Sequence, residues 1–388
     1  MPNYPFPISS KLPRTGETIF SVMSALANEH KAINLSQGFP GFEPDSSLIK
    51  KVNKAMQQGF NQYAPMAGSL NLRQQVSNCF SRRDGIIYDP EKEITITAGA
   101  TQAIFTAITA LIKEGDEVIV FSPAYDCYTP ALELMGAKII YVQMNAPDYR
   151  IPWDEVKRVM NRRTKMIITN SPHNPTGTVW SPTDVAQLEE LVLNSDALVL
   201  SDEVYEHMVF DGKKHVSAAS RDGLASRSLI VGSFGKTFHV TGWKIGYIAG
   251  PSALMNEFRK VHQYNVFSTN SAMQEGIANY MKKVKPEETL SSFYQAKRDL
   301  FREELFESNL ELLPCEGTYF QLIRFRDVSS VADTEVAKLW TEQHKVASIP
   351  VSVFYPFPVQ EHVLRFCFAK EDGELKKAAK RLRKITAS

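Results

Sequence analysis

ALVLSDEV, residues 197–204, is the stretch that decides the fold. An unbroken apolar run from Ala197 to Leu200 stops at Ser201, Asp202 and Glu203, the pattern of a short strand buried on both faces whose carboxyl end meets a ligand or solvent. Working outward, the pattern recurs upstream in TKMIITNSP (164–172), AKIIYVQM (137–144), DEVIVFSP (116–123) and EITITAG (93–99). It recurs downstream in SLIVGSFG (228–235). These runs are punctuated by Gly, Pro or polar turns and alternate with segments of helical apolar spacing. That alternation predicts an α/β fold with a mostly parallel central sheet between helices and ligands at the strands' carboxyl ends.

The flanks read differently. Thr18 to Lys31 and Leu48 to Gln58 have helical spacing, and INLSQGFPGFEP (33–44) between them is extended and punctuated by Gly and Pro. After Val284, the charged helical segments SSFYQAKRDLFREELFES and KEDGELKKAAKRLRKI are interspersed with strand-like TYFQLIRF, KVASIPVS and VLRFCFA. The expected organisation is an N-terminal arm and part of a small domain (1–45), a large domain (46–284) and a small α+β C-terminal domain (285–388). In the last helix Leu375, Ala379, Leu382 and Ile385 form an apolar stripe opposite Lys376, Lys377, Lys380, Arg381 and Arg383, so the basic residues read as a solvated face.

Composition narrows the function. The chain has 388 residues, 44 Lys plus Arg against 43 Asp plus Glu, and a formal charge of +1, without the basic excess of a nucleic-acid binder. Cys79, Cys127, Cys315 and Cys367 are too irregularly spaced for a disulfide framework or a zinc site, which favours a cytoplasmic location. MPNYPFPISSKLPR has prolines where a signal peptide needs an apolar run, and Ala103 to Ile112 is about half of the ~20 residues of a membrane span. Neither secretion nor membrane insertion is expected. His173, His207, His239 and His262 lack metal-ligand spacing, and no G-x-S-x-G elbow is present.

Four strand-end elements carry the chemistry. Ser233-Phe234-Gly235-Lys236-Thr237 invites a phosphate-loop reading, but the loop's first glycine would fall at residue 230, which is Ile. Lys236 is left at a strand end for another use. Asp202 ends a buried strand, where a carboxylate needs a partner. NSPHNPTG (170–177) is a double-proline turn after a strand, and TAGATQA (97–103) joins a strand to a helix start whose free N–H groups suit an anion.

Together TAGATQA, NSPHNPTG, SDEVYE and SFGKTFHVTGWKIGY resemble the fold-type I, class I aminotransferases that depend on pyridoxal 5′-phosphate (PLP). The resemblance runs from INLSQGFP and NQYAP to GTYF, SIPVSVFY and LRFCFAK, and is nearest to the kynurenine, glutamine and methionine branch. It implies the fold-type I transferase architecture, a large α/β domain plus a smaller α+β domain. It also implies that Lys236 would link to PLP and shuttle a proton, with Asp202 on the pyridine nitrogen. Asn174 and Tyr205 would donate to the phenolic oxygen and Tyr125 would stack on the ring. Gly99, Ala100, Thr101, Ser233 and Lys244 would bind the phosphate. Most members carry arginine at the position of Lys244, and lysine is usual in this branch.

The same resemblance gives Arg365 the substrate α-carboxylate, a bidentate geometry lysine cannot copy, with Gly38 and Asn174 beside it. Phe20, Phe267 and Tyr319 would line the side-chain pocket, and Tyr63 would reach the neighbouring subunit's phosphate in a homodimer. Related kynurenine-type enzymes have tryptophan near Phe20, so this departure favours methionine, phenylalanine or similar side chains, with other aromatic amino acids or glutamine, over large bicyclic ones. The expected partners are an amino acid and a 2-oxo acid in a ping-pong cycle. The alternatives are a kynurenine aminotransferase, a cysteine-S-conjugate β-lyase or, remotely, a non-catalytic binding module on this fold.

Overall fold

The computed structural model describes residues 2–385; Met1 and residues 386–388, counted within the expected domains, lie outside the described residues. After β1 (Ile33–Asn34), the six apolar runs become β2 (Ile94–Thr97), β3 (Glu117–Ser122), β4 (Lys138–Gln143), β5 (Thr164–Asn170), β6 (Leu198–Asp202) and β7 (Ser228–Ser233), and β8 (Gly246–Ala249) follows them. The last seven form one sheet in the order β2-β8-β7-β6-β5-β3-β4. β3 to β7 pair in parallel, while β8 is antiparallel to both of its neighbours. The sheet is therefore mostly parallel, as the alternation predicted, with helices supplying the crossovers. β8 escaped that reading because an antiparallel return needs no crossover helix. It is four residues long, and its glycine sits inside the TGWKIGY motif.

Register decides where chemistry can gather. Asn170 at the end of β5 is opposite Asp202 at the end of β6, and Asp202 is opposite Val231, two residues before β7 ends at Ser233. The carboxyl ends of three adjacent strands thus deliver Asn170, Asp202 and Ser233 to one edge.

A second sheet is antiparallel. It contains β9 (Glu311–Leu312), β10 (Phe320–Arg324), β12 (Ile349–Pro350) and β13 (Val363–Cys367), in the order β12-β13-β10-β9. The short β11 (Val346–Ala347) pairs in parallel with β1, Ile33 opposite Val346. Beyond β1 the N-terminal segment stays attached, because Leu35 N–H donates to Ala347 O at 3.1 Å and Cys367 N–H donates to Leu35 O at 2.8 Å. Gln37 and Gly38 are thereby fixed beside the strand that carries Arg365. In the helix Asp372–Leu382, Leu375, Ala379 and Leu382 are buried while Lys376, Lys377 and Lys380 are exposed, so the basic face is solvated. Among the described residues no helix is long and apolar enough to cross a membrane, and no group of three or more His, Cys, Asp or Glu could hold a metal.

Candidate active site

Asp202 sits at the strand ends with only 4% of its surface exposed. Tyr128 Oη donates to its carboxylate at 2.6 Å and Val204 N–H at 3.3 Å. Burial pushes the Asp202 carboxyl up to about 6, and those two donors keep it from rising further. Just beyond β7, the one-turn helix Phe234–Thr237 turns Lys236 toward the same space. Its ammonium donates to Tyr319 Oη at 2.7 Å and Gly38 O at 3.0 Å, with the Tyr205 ring 5.6 Å away. Burial pulls Lys236 down to about 8, and the positive charges of Arg365 and Lys244 act in the same direction.

One corner suits a dianion. Gly99 adopts φ +82°, a left-handed conformation that lets the chain swing from β2 into the helix Ala100–Leu111 and leaves that helix's first N–H groups free. A Cβ at Gly99 would stand 3.2 Å from Lys244 Nζ, so the ammonium closes directly on the turn. Ser233 and Thr241 complete the corner.

The opposite corner holds a cation without an anion. Arg365, 1% exposed, stacks its guanidinium 3.9 Å over the Phe320 ring. It donates to Asn174 Oδ1 at 2.6 Å and to Ser36 O at 3.4 Å, and its Nε has no partner. Among the described residues no carboxylate forms an ion pair with it. A buried guanidinium in that condition is costly unless an anionic ligand completes it. Asn174 is itself braced, its N–H donating to Asn170 Oδ1 at 2.8 Å, while Asn170 Nδ2 donates to Asp202 O at 2.8 Å. The three corners face one cavity of about 310 Å³.

Residues 30–382 match the family model described as aminotransferase class I and II. The chain belongs to that family. It is 45% identical over 387 residues to the methionine aminotransferase of Escherichia coli (strain K12), covering 99% of this chain and 100% of that one. It is 36% identical to the probable N-succinyldiaminopimelate aminotransferase DapC of Mycobacterium tuberculosis, with 96% and 97% covered. Against kynurenine–oxoglutarate transaminase 1 of Mus musculus it is 33% identical, with 92% of each chain covered. The crystal structure of YbdL from Escherichia coli, whose description identifies a methionine aminotransferase function, superposes with a TM-score of 0.96 at 44% identity, covering 98% of this chain and 100% of that one.

In this aminotransferase the cavity is lined by Phe20, Gly38, Gly99, Ala100, Thr101, Tyr125, Asn174, Asp202, Tyr205, Ser233, Lys236, Lys244 and Arg365. Three expected site residues lie elsewhere. Tyr319 is fully buried behind the wall with its hydroxyl on Lys236, and its neighbour Phe320 forms the wall instead. Phe267 is not in the chain's own cavity. At φ +66° it turns outward after the helix Ser252–Asn265, 51% exposed, with its ring edge-on to Tyr63 at 5.1 Å. Tyr63 is 80% exposed and borders an outer groove with Met56, Phe60 and Ser268–Met273.

Sequence reasoning missed Tyr128, Asn170, Thr241 and Gln37, although the last three sit within motifs it used. Asn170 opens NSPHNPTG, and Tyr128 lies three residues after Tyr125. Gln37 Nε2 donates to Phe20 O at 3.1 Å, tying the helix Ile19–Glu29 to the cavity's rim. The histidines expected to be structural include His173, which is bonded to Thr176 Oγ1 at 2.7 Å and pushed down to about 3 by burial.

Proposed function

We propose that this aminotransferase uses PLP to move the α-amino group of methionine, and of aromatic amino acids or glutamine, to a 2-oxo acid in a ping-pong cycle. The observation that carries the reading is the meeting, in one cavity, of a buried amine, a buried carboxylate and an unpaired buried guanidinium. The residues fit PLP: the helix start with Lys244, Ser233 and Thr241 suits the phosphate, Asp202 the ring nitrogen, and Lys236 the aldehyde end. Once bound, PLP supplies a carbonyl carbon that links to amines and a ring that withdraws electrons from the substrate's Cα.

The chain's own groups do the rest. Asp202 holds a proton at the ring nitrogen, and Tyr128 keeps its carboxylate oriented. Tyr125 covers the ring, while Tyr205 and Asn174 donate to the phenolic oxygen. Lys236, with its affinity for protons lowered toward neutrality, would accept the substrate's Cα proton and deliver it to the cofactor's C4′, on the far side of the amino nitrogen. Arg365 takes the α-carboxylate with two parallel donors. Lys236, Lys244 and Arg365 are the cationic groups of the chain's own cavity lining, and each has a task, so that lining leaves no cation for a second carboxylate on the substrate. Phe20 and Phe320 instead offer apolar surface to a neutral side chain. The 45% identity to a protein named methionine aminotransferase supports methionine among such side chains.

The reading includes a cytoplasmic homodimer. Its support is the exposed Tyr63–Phe267 pair, which a second copy could bring to a cavity that their own chain's fold keeps from them, and four free cysteines. It also takes 46–284 as the large unit, 1–45 as an N-terminal arm and part of the small unit, and 285–388 as the small C-terminal unit, supported by the β1–β11 pairing. The test is the absorption spectrum of PLP-loaded protein before and after methionine, with no oxo acid present. The expected result is loss of the yellow band with one equivalent of 2-oxo acid. Protein that stays colourless after incubation with PLP overturns the cofactor reading, and a yellow band untouched by methionine overturns the donor.

A further inference from the structure

Outside the cavity lining, a buried ionic network brackets the turn that carries Asp202 and Tyr205. Arg83, at the end of the helix Leu70–Asp84, pairs with Glu206 and Asp84, and the three side chains are 11%, 3% and 5% exposed. Tyr247 Oη donates to Glu206 at 2.6 Å. On the other side of the turn, Glu203 accepts from Ser201 Oγ at 2.8 Å, Ser217 Oγ at 3.1 Å and Ala218 N–H at 3.0 Å, and pairs with His215 Nε2 at 2.7 Å. One anchored carboxylate follows Asp202 directly, and the other follows Tyr205 directly.

The network has its own space reserved in the sheet. Tyr247 on β8 lies opposite Gly232 on β7, and a Cβ at Gly232 would stand 2.2 Å from the tyrosine's Cζ and 2.4 Å from its Oη. Glycine at that position is what allows the Tyr247 ring to cross the strand and reach Glu206. A buried ion pair is weak ground for stability, since apolar residues of similar volume often serve as well. Its placement beside Tyr205 points to geometry instead. The Tyr205 ring meets Tyr319 and Phe320 edge-on at centroid distances of 5.1 and 6.0 Å, contacts that orient the ring plane. With the ring so oriented, where the backbone of the turn is held contributes to how far the hydroxyl reaches into the cavity.

We propose that Glu206, clamped by Arg83 and Tyr247, is a positioning residue that sets the reach of the Tyr205 hydroxyl toward the bound cofactor. The proposal rests on the PLP reading above. The experiment titrates the absorbance of the PLP-loaded protein with pH for wild type, Tyr205→Phe, Tyr247→Phe and Glu206→Gln. It adds each of the last two combined with Tyr205→Phe, with melting temperatures recorded alongside. Tyr205→Phe removes the donor and moves the midpoint. Tyr247→Phe and Glu206→Gln are expected to move it in the same direction, by about 0.5 to 2 pH units, and to add nothing in the Tyr205→Phe background. Variants that melt earlier but keep the wild-type midpoint, or shifts that simply add, overturn the proposal. Should Glu206→Gln not fold, Tyr247→Phe decides alone, since it removes a single hydroxyl. A wild type that takes up no PLP overturns the cofactor reading and this proposal with it, whereas a yellow wild type with unmoved variants overturns the proposal only.

Discussion

Replacing Asp202 by Asn should stabilise the PLP-free protein while weakening its hold on PLP. The carboxyl is raised from its ordinary 3.8 to about 6, chiefly by burial. A charged group disfavoured in the fold costs stability as pH climbs from the unfolded value to the folded one. The cost is absent below about 4, grows through the interval, and levels off above about 6. At neutral pH it amounts to about 3 kcal/mol. Asn has one acceptor oxygen where the carboxylate has two: Oδ1 can keep the Val204 N–H bond, and Nδ2 can donate to Tyr128 Oη once that hydroxyl turns to accept, so the substitution removes the charge while both contacts stay hydrogen-bonded. With ~2.1 cal/mol/K of unfolding entropy per residue, 3 kcal/mol corresponds to a melting temperature higher by about 4 °C at pH 7.5, and by about half that at pH 5. Differential scanning of the PLP-free proteins at the two pH values measures both numbers. PLP affinity, read by absorbance, should fall at the same time, because the amide cannot hold the ring nitrogen's proton. An Asn variant that melts no higher at pH 7.5, or whose gain is the same at both pH values, would refute the reasoning about buried charge.

Three further outcomes are expected. Arg365→Lys should raise KM for methionine about 30- to 100-fold with less effect on kcat, because one charge-assisted bond and the fork geometry are lost; steady-state kinetics with an unchanged KM would contradict it. Lys236, lowered to about 8, is deprotonated above that pH, so in the PLP-free protein its acylation should follow a midpoint near 8 while surface lysines respond some two units higher. Borohydride reduction of the PLP-loaded protein followed by peptide mapping should mark this residue, and a label on another lysine would be a refutation. Tyr63→Ala leaves each chain's own cavity intact yet should weaken PLP binding, since its ring is 80% exposed in its own chain. Light scattering that finds a fully active monomer would remove the basis for that expectation.

The architecture was legible where one physical rule governed it. Parallel strands buried on both faces must be nearly all apolar, so β3, β5, β6 and β7 announced themselves as runs, β4 read the same way although it is a half-buried edge strand, and the helices between them followed from the need for crossovers. β8 followed a different rule. Its neighbours are antiparallel, the segment that joins it to β7 carries the short helix Phe234–Thr237, and its four residues GYIA carry no signal longer than the motif around them. The two-residue strands β1, β9, β11 and β12 are set by tertiary pairing alone, and nothing local to Ile33–Asn34 says that it will meet Val346–Ala347.

The site divides along the same line. Asp202, Lys236 and Asn174 lie within a few residues of a strand end, so topology alone delivers them to one edge, and their chemical types could be read before their contacts were known. Arg365 is different: from sequence it is an arginine near the end of a strand, and its burial follows from β13 being flanked by β10 and β12. Phe267 shows where such reading stops. Its neighbourhood in the chain says aromatic and close to the site, but the residue takes a left-handed backbone conformation that sends its ring out toward Tyr63. A half-exposed phenylalanine stacked edge-on against a nearly bare tyrosine leaves apolar surface in water, and the hydrophobic effect favours covering it. A second copy of the chain would do so and would carry both rings to the neighbouring cavity. The position of Phe267 outside its own chain's cavity and the exposure of Tyr63 would then have one explanation, and the light-scattering experiment tests both together.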